Sequence, residues 1–173
     1  MKNKLILFIY FIINLYTVSV VKAGACHLLP QPQKFTPSHT CFQVNNVRLS
    51  TPVLQQEWEA FVSEMRGTLS PKATGSIDVK LLPSLPGIPM NQEEAYRLNI
   101  TKKRITVEAV TERGVYWAMQ TLRQLADTRN SKTQIRGAEI IDWPAFRIRG
   151  FMQDVGRSYI SLEELKREIA VLA

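Results

Sequence analysis

Two short β patterns stand back to back at residues 95–109, and the polar turn between them leaves little choice of partner. Ala95 to Ile100 and Arg104 to Ala109 are joined only by Thr101-Lys102-Lys103, so they should fold onto each other as an antiparallel hairpin. Tyr96, Leu98 and Ile100 then share one face, and Ile105, Val107 and Ala109 make the matching face. A sheet with one apolar face must bury it against another element. The cover follows at once: Thr111-Glu112-Arg113-Gly114 leads into a helix with Val115, Ala118, Met119, Leu122 and Leu125 on one side.

The rest of the chain up to residue 141 repeats this alternation. Ile77, Val79 and Leu81 alternate with Ser76, Asp78 and Lys80 after Gly75, the pattern of a half-buried strand. Thr51-Pro52 reads as a cap followed by proline at the first helical position, with Leu54, Trp58, Phe61, Val62, Met65 and Leu69 on the stripe behind it. At that spacing Trp58 and Phe61 read as core rather than as a sugar platform. Phe42, Val44, Val47 and Leu49 suggest a strand broken by a turn or bulge at Asn45-Asn46. Before it, Leu28 to Lys34 is proline-punctuated and extended, suited to a domain edge. Pro83 to Pro89 is a surface loop, and Ile135 with Ala138 to Ile140 forms a last strand. Two helices and about five strands predict an α+β fold, a mostly antiparallel sheet with both helices on one face. The boundary to the next unit falls near Ile141-Asp142-Trp143-Pro144, which divides the chain into a leader over 1–23, an α+β domain over 24–141 and a further piece over 142–173.

The leader is a basic start, Met1 to Lys4, then the almost unbroken apolar run Leu5 to Val21, then the short residues around Val21-Lys22-Ala23. This is the pattern of a cleaved export signal, with a membrane anchor as the alternative. Its removal takes Lys2, Lys4 and Lys22 and lowers the formal charge from +7 to +4. The remaining basic residues are scattered and not interleaved with aromatics, which argues against a nucleic-acid face. Export would place Cys26 and Cys41 where a disulfide persists, while Ala23-Gly24-Ala25-Cys26 is a loose lipobox that would instead make Cys26 a lipid anchor. The only histidines are His27 and His39, too few for a zinc site of set spacing.

The final stretch, Ile141 to Ala173, is different in kind. Pro144 bars a central ladder position, so the apolar run Phe146 to Val155 should start afresh as a strand. Arg147, Arg149, Phe151 and Gln153 would then share one face, unusually polar for a core strand. Ser161-Leu162-Glu163-Glu164 has the form of a capping box with Ile160 and Leu165 as its staple, opening a helix that carries Leu165, Ile169 and Leu172.

Asp142-Trp143-Pro144-Ala145-Phe146, then Arg149-Gly150, Asp154 and Arg157, resemble the first strand and helix of the catalytic barrel in β-N-acetylhexosaminidases of glycoside hydrolase family 20. The run Gly114 to Leu125, with Gln120-Thr121-Leu122 and Gln124-Leu125, and the opening Leu29-Pro30-Gln31-Pro32 resemble the same family's non-catalytic N-terminal domain. The resemblance implies an exo-acting glycosidase that removes terminal N-acetylhexosamine from glycans. Its mechanism retains configuration: the substrate's own acetamido oxygen attacks, an aspartate orients it and a neighbouring glutamate is the acid. Nothing up to Ala173 matches that Asp-Glu pair, so the resemblance places no catalytic residue in this chain and implies no cofactor.

Arg149 matches the arginine that binds ring hydroxyls of the terminal sugar, a role suited to a rigid fork of donors. An arginine paired with a buried acid, Asp154 on another register, is the alternative. Asp154 and Arg157 match supporting positions, Asp142 should turn the interdomain link, and Arg147 has no assignable role. One strand and one helix cannot close a (β/α)8 barrel of roughly 250 residues, so the expectation is an incomplete barrel following a folded domain. Two other readings stand beside this one: a stand-alone exported glycan-binding or scaffold module, and another glycosidase, such as an O-GlcNAcase or an α-glucuronidase, with a similar N-terminal domain.

Overall fold

The computed structural model describes residues 28–172 apart from 52, 130, 131 and 158. The leader, Cys26 and His27 lie outside the described residues. The chain forms β1 (Lys34–Gln43), β2 (Asn46–Ser50), helix α1 (Gln55–Glu64), β3 (Thr68–Leu69), β4 (Gly75–Leu81), a short 3-10 turn (Gln92–Glu94), β5 (Tyr96–Ile100), β6 (Arg104–Ala109), α2 (Glu112–Leu125), β7 (Ala126–Asp127), β8 (Gln134–Asp142) and α3 (Leu162–Leu172).

The expected hairpin is β5 and β6, paired antiparallel from Tyr96 opposite Ala109 to Ile100 opposite Ile105. All six residues assigned to its inner face are buried. The sheet runs β1-β8-β5-β6-β4-β2-β3, with β7 against β8. It is mixed rather than mostly antiparallel: β2 pairs β3 and β4 in parallel, and β4 pairs β6 in parallel. The cause is connectivity. Parallel neighbours need a crossover, which α1 supplies between β2 and β4 and the long 82–95 loop with β5 supplies between β4 and β6.

Helices α1 and α2 share one core with the sheet, where Trp58, Phe61 and Val62 meet Ile77, Leu98, Ile105, Met119, Leu122 and Ile140. An ion pair of 2.9 Å from Arg123 to Glu64 links the two helices, and the same guanidinium lies 5.6 Å from the centre of the Phe61 ring. Gly114 explains how closely α2 approaches the hairpin: a Cβ there would come within 2.2 Å of the Ala95 carbonyl oxygen and 2.9 Å of the Ala109 Cβ. Thr111 caps this helix, its hydroxyl accepting from the Arg113 N–H at 3.2 Å.

Helix α1 departs from its expected bounds at both ends. The Thr51 hydroxyl turns back on Val53, accepting from its N–H at 2.9 Å and donating to its carbonyl at 2.8 Å, so it caps nothing. The first helical bond runs from Trp58 to Leu54 at 3.0 Å, with Leu54 in a left-handed conformation. At the far end Arg66 is left-handed and Leu69 is carried into β3.

The largest correction concerns residues 146–155. They form no strand, and Phe146, Ile148, Phe151, Met152 and Val155 are between 57% and 93% exposed. The alternating faces assigned to Arg147, Arg149, Phe151 and Gln153 therefore do not exist here. A strand is stabilised by a ladder partner, and among the described residues none is paired to this run. Only the helical half of the expected unit forms. Its capping box is complete: the Ser161 N–H and hydroxyl both donate to Glu164 Oε2, at 3.1 and 3.0 Å, and the Glu164 N–H donates to the Ser161 hydroxyl at 3.2 Å. No described residue of α3 is buried. It is the helix expected after Ser161, separate from the two expected over the sheet.

Candidate functional site

The chemically dense part of the molecule is the joint where β8 ends and the 142–149 segment crosses α2. A groove of about 490 Å³ lies there. Its walls are the proline segment 28–33, the outer face of α2 with Trp117, Gln120 and Gln124, and the link from Asp142 to Arg149.

Asp142 is the hub. Its Oδ1 accepts from the Gln33 N–H at 3.1 Å and from its own neighbour Trp143 N–H at 2.9 Å, while Oδ2 accepts from the Tyr96 hydroxyl at 3.4 Å. Tyr96 also shares a hydrogen bond of 2.6 Å with Thr121 on α2. One carboxylate thus ties the leading segment, β5 and the outgoing link together. Burial pushes the Asp142 carboxyl above its ordinary pKa, against the opposing pull of the Gln33 and Trp143 N–H groups and the Tyr96 hydroxyl. Burial also raises the Tyr96 hydroxyl, only partly relieved by Thr121 and reinforced by the charge on Asp142.

Side-chain amides complete the joint. Gln124 pairs with Leu29 as a strand neighbour would, accepting from its N–H and donating to its carbonyl, both at 2.8 Å. Gln33 donates to the Trp143 carbonyl at 3.3 Å, and Asn91 to the Pro144 carbonyl at 2.7 Å.

Arg149 reaches this joint from the exposed segment. Its Nη1 donates to the Phe146 carbonyl at 2.7 Å, its Nη2 pairs with Glu94 Oε2, and its guanidinium carbon lies 6.0 Å from the centre of the Trp117 ring. Trp117 Nε1–H donates to the same Glu94 oxygen at 3.1 Å. Burial alone would raise the Glu94 carboxyl. The hydrogen bond and charge of Arg149, with smaller contributions from Trp117 and Arg113, outweigh it and hold the acid below its ordinary value. The alternative partner for Arg149 was Asp154, but the acid that engages it is Glu94. The guanidinium lies against Glu94 on the 3-10 turn and Trp117 on α2.

Asp154 and Arg157 pair with each other at 3.4 Å, with 61% and 93% of their side chains exposed, and their contacts do not include Arg149. Arg147 is exposed. Cys41 is a free, half-buried thiol on β1, while the alternatives drawn for Cys26 lie outside the described residues. Among the described residues, no cluster of three His, Cys, Asp or Glu side chains could hold a metal ion.

Sequence reasoning did not single out Glu94, Trp117 or Asn91, and it gave Gln124 no partner. The signal for Gln124 and Thr121 was present in the Gln-Thr-Leu-Arg-Gln-Leu run, whose Thr121 meets Tyr96 and whose Gln124 meets the leading segment. Nothing local marks Glu94, whose partners are 23 and 55 residues away.

Comparison with known proteins places this architecture. Residues 25–143 match the family described as Glycosyl hydrolase family 20, domain 2. A β-hexosaminidase of Porphyromonas gingivalis is 28% identical over 164 residues, an alignment covering 85% of this chain and 21% of that protein. β-Hexosaminidase A of Caenorhabditis briggsae is 35% identical over 101 residues, covering 56% of this chain and 18% of its own length. The chain therefore spans about a fifth of the relatives it matches. Among solved structures, the exo-β-N-acetylglucosaminidase of Vibrio harveyi superposes with a TM-score of 0.64 at 27% identity, over 84% of this chain and 23% of that one.

Proposed function

Because the chain belongs to glycosyl hydrolase family 20, we propose that it supplies the non-catalytic N-terminal domain, and the start of the domain that follows, to an exo-acting β-N-acetylhexosaminidase. The observation that carries this is the extent of the likeness: the Porphyromonas gingivalis match covers 85% of the chain, which is more than residues 25–143 alone. The substrate class is glycans ending in N-acetylhexosamine.

The reaction proposed is retaining and substrate-assisted, with the acetamido oxygen as nucleophile and an Asp-Glu pair outside these 173 residues as orienting group and acid. In it, Arg149 donates its fork to ring hydroxyls of the terminal sugar, supported by Asp154 and Arg157, and residues 142–173 are the opening unit of a (β/α)8 barrel. Residues 1–23 direct export. Support for the role of Arg149 is the motif around it, from Asp142 to Arg157.

Hydrolysis of a chromogenic N-acetylglucosaminide tests the reading. A longer protein with this chain at its start and a further domain behind it should release the chromophore, and the 173-residue chain alone should not. Turnover by the short chain would overturn the placement of the catalytic pair, and inactivity of the longer protein on both glucosamine and galactosamine derivatives would overturn the substrate class.

A further inference from the structure

Arg149 has one guanidinium and two claims on it. A sugar is held by a guanidinium when two parallel N–H groups point at neighbouring hydroxyls. In the present arrangement Nη1 already donates to the Phe146 carbonyl and Nη2 to Glu94, with Trp117 beneath. Glu94 is the fixed partner of the two. Its side chain is 12% exposed and held a second time by the indole N–H of Trp117, whereas Arg149 is 42% exposed on a segment without regular structure. A bond from a guanidinium to a carboxylate is roughly twice as strong as one between neutral groups, so hydroxyls alone do not displace it.

We propose that Glu94, a residue of the non-catalytic domain, competes with the sugar for Arg149 and holds the 144–149 segment in a docked state that cannot bind sugar. This rests on the sugar-binding role assigned to Arg149 above. Glu94 acts through another residue and touches no substrate itself. Trp117 sets the strength of the competition by fixing the carboxylate.

The test is a titration of the 173-residue chain with N-acetylglucosamine, followed through the Arg149 side-chain Nε–H signal in NMR. Glu94→Gln, which keeps the shape and removes the charge, should lower the half-saturating sugar concentration roughly tenfold, as expected for exchanging a charge-assisted bond for a neutral one. Trp117→Phe should move it the same way by less, and Glu94→Asp should return it towards the parent. Unchanged amide signals from β5 and β6 confirm that each variant is folded. Equal half-saturation in parent and Glu94→Gln overturns the competition while leaving the sugar role intact. If Arg149→Lys, followed in both proteins through the Trp117 indole N–H signal, titrates as the parent does, the sugar role itself is wrong. No response in either parent or Glu94→Gln overturns both.

Discussion

Residues 28–143 and residues 144–172 have similar apolar content in their patterned stretches, yet only the first region turns that content into structure. In the first, every residue placed on the inner face of the hairpin and of α2 is buried. In the second, Ile148, Met152, Ile169 and Val171 are between 65% and 93% exposed, although α3 has as complete a cap as any described helix. A local signal such as a capping box is satisfied by neighbours in sequence, whereas a strand or an apolar helix face needs a partner from elsewhere. The first region contains its partners; among the described residues the second has only the joint.

Substitutions at apolar side chains should separate the two regions most sharply. Trp58→Ala, in the fully buried T-shaped pair with Phe61, should cost about 3–5 kcal/mol by denaturant unfolding, while Ile169→Ala on α3 should leave the midpoint unchanged. A measurable loss at Ile169 would mean that α3 is packed after all. Limited digestion with trypsin gives the same contrast kinetically: cleavage after Arg147, Arg157 and Arg167 should precede any cut between Arg97 and Arg123, and simultaneous cleavage would erase the distinction. Gly114→Ala pushes a methyl into the Ala95 carbonyl and should cost about 1–3 kcal/mol, despite the general preference of helices for alanine.

At the joint the effects are smaller and depend on pH. Because burial raises the Asp142 carboxyl above its unfolded value near 4, the folded state holds its proton more tightly than the unfolded chain does. Burying the charge therefore costs stability, a cost that appears as pH rises from about 4 through the folded-state pKa. Asp142→Asn keeps an acceptor for Gln33 and Trp143 and offers Tyr96 a donor, so its stability relative to the parent should improve as pH rises through that window. Asp142→Ala, which leaves those groups without a partner, should lose about 1–3 kcal/mol near neutral pH. A flat difference between Asn and parent across pH 4–7 would show that Asp142 carries no net burial cost. Gln124→Ala, which frees Leu29, should cost least, about 1 kcal/mol, and should be read as faster hydrogen exchange at the Leu29 amide.

Much of the fold was legible because its signals are local. The polar turn at 101–103 pairs its own flanking strands, and the stripe from Val115 to Leu125 finds the nearest apolar face. The resemblance carried by Gly114 to Leu125 and by Asp142 to Arg157 pointed to the family that comparison then established. The site was less legible. The acid weighed as an alternative partner for Arg149 was five residues away in sequence, but the acid that meets it is on the 3-10 turn before β5. The polar positions of the Gln-Thr-Leu-Arg-Gln-Leu run could be read as solvated or bonded until the leading segment was laid across them.

What the amino-acid order determined by itself was the hairpin with its inner face, the buried stripe of α2, the capping of α3 and the kinship of the chain. Those depend on spacing and on contacts within a few residues. The tertiary structure alone decided the parallel half of the sheet, the failure of 146–155 to form a strand, and the capture of Arg149 by Glu94 and Trp117. Each of these turns on which distant segment reaches a vacant hydrogen-bonding edge or charge first, and periodicity carries no record of that.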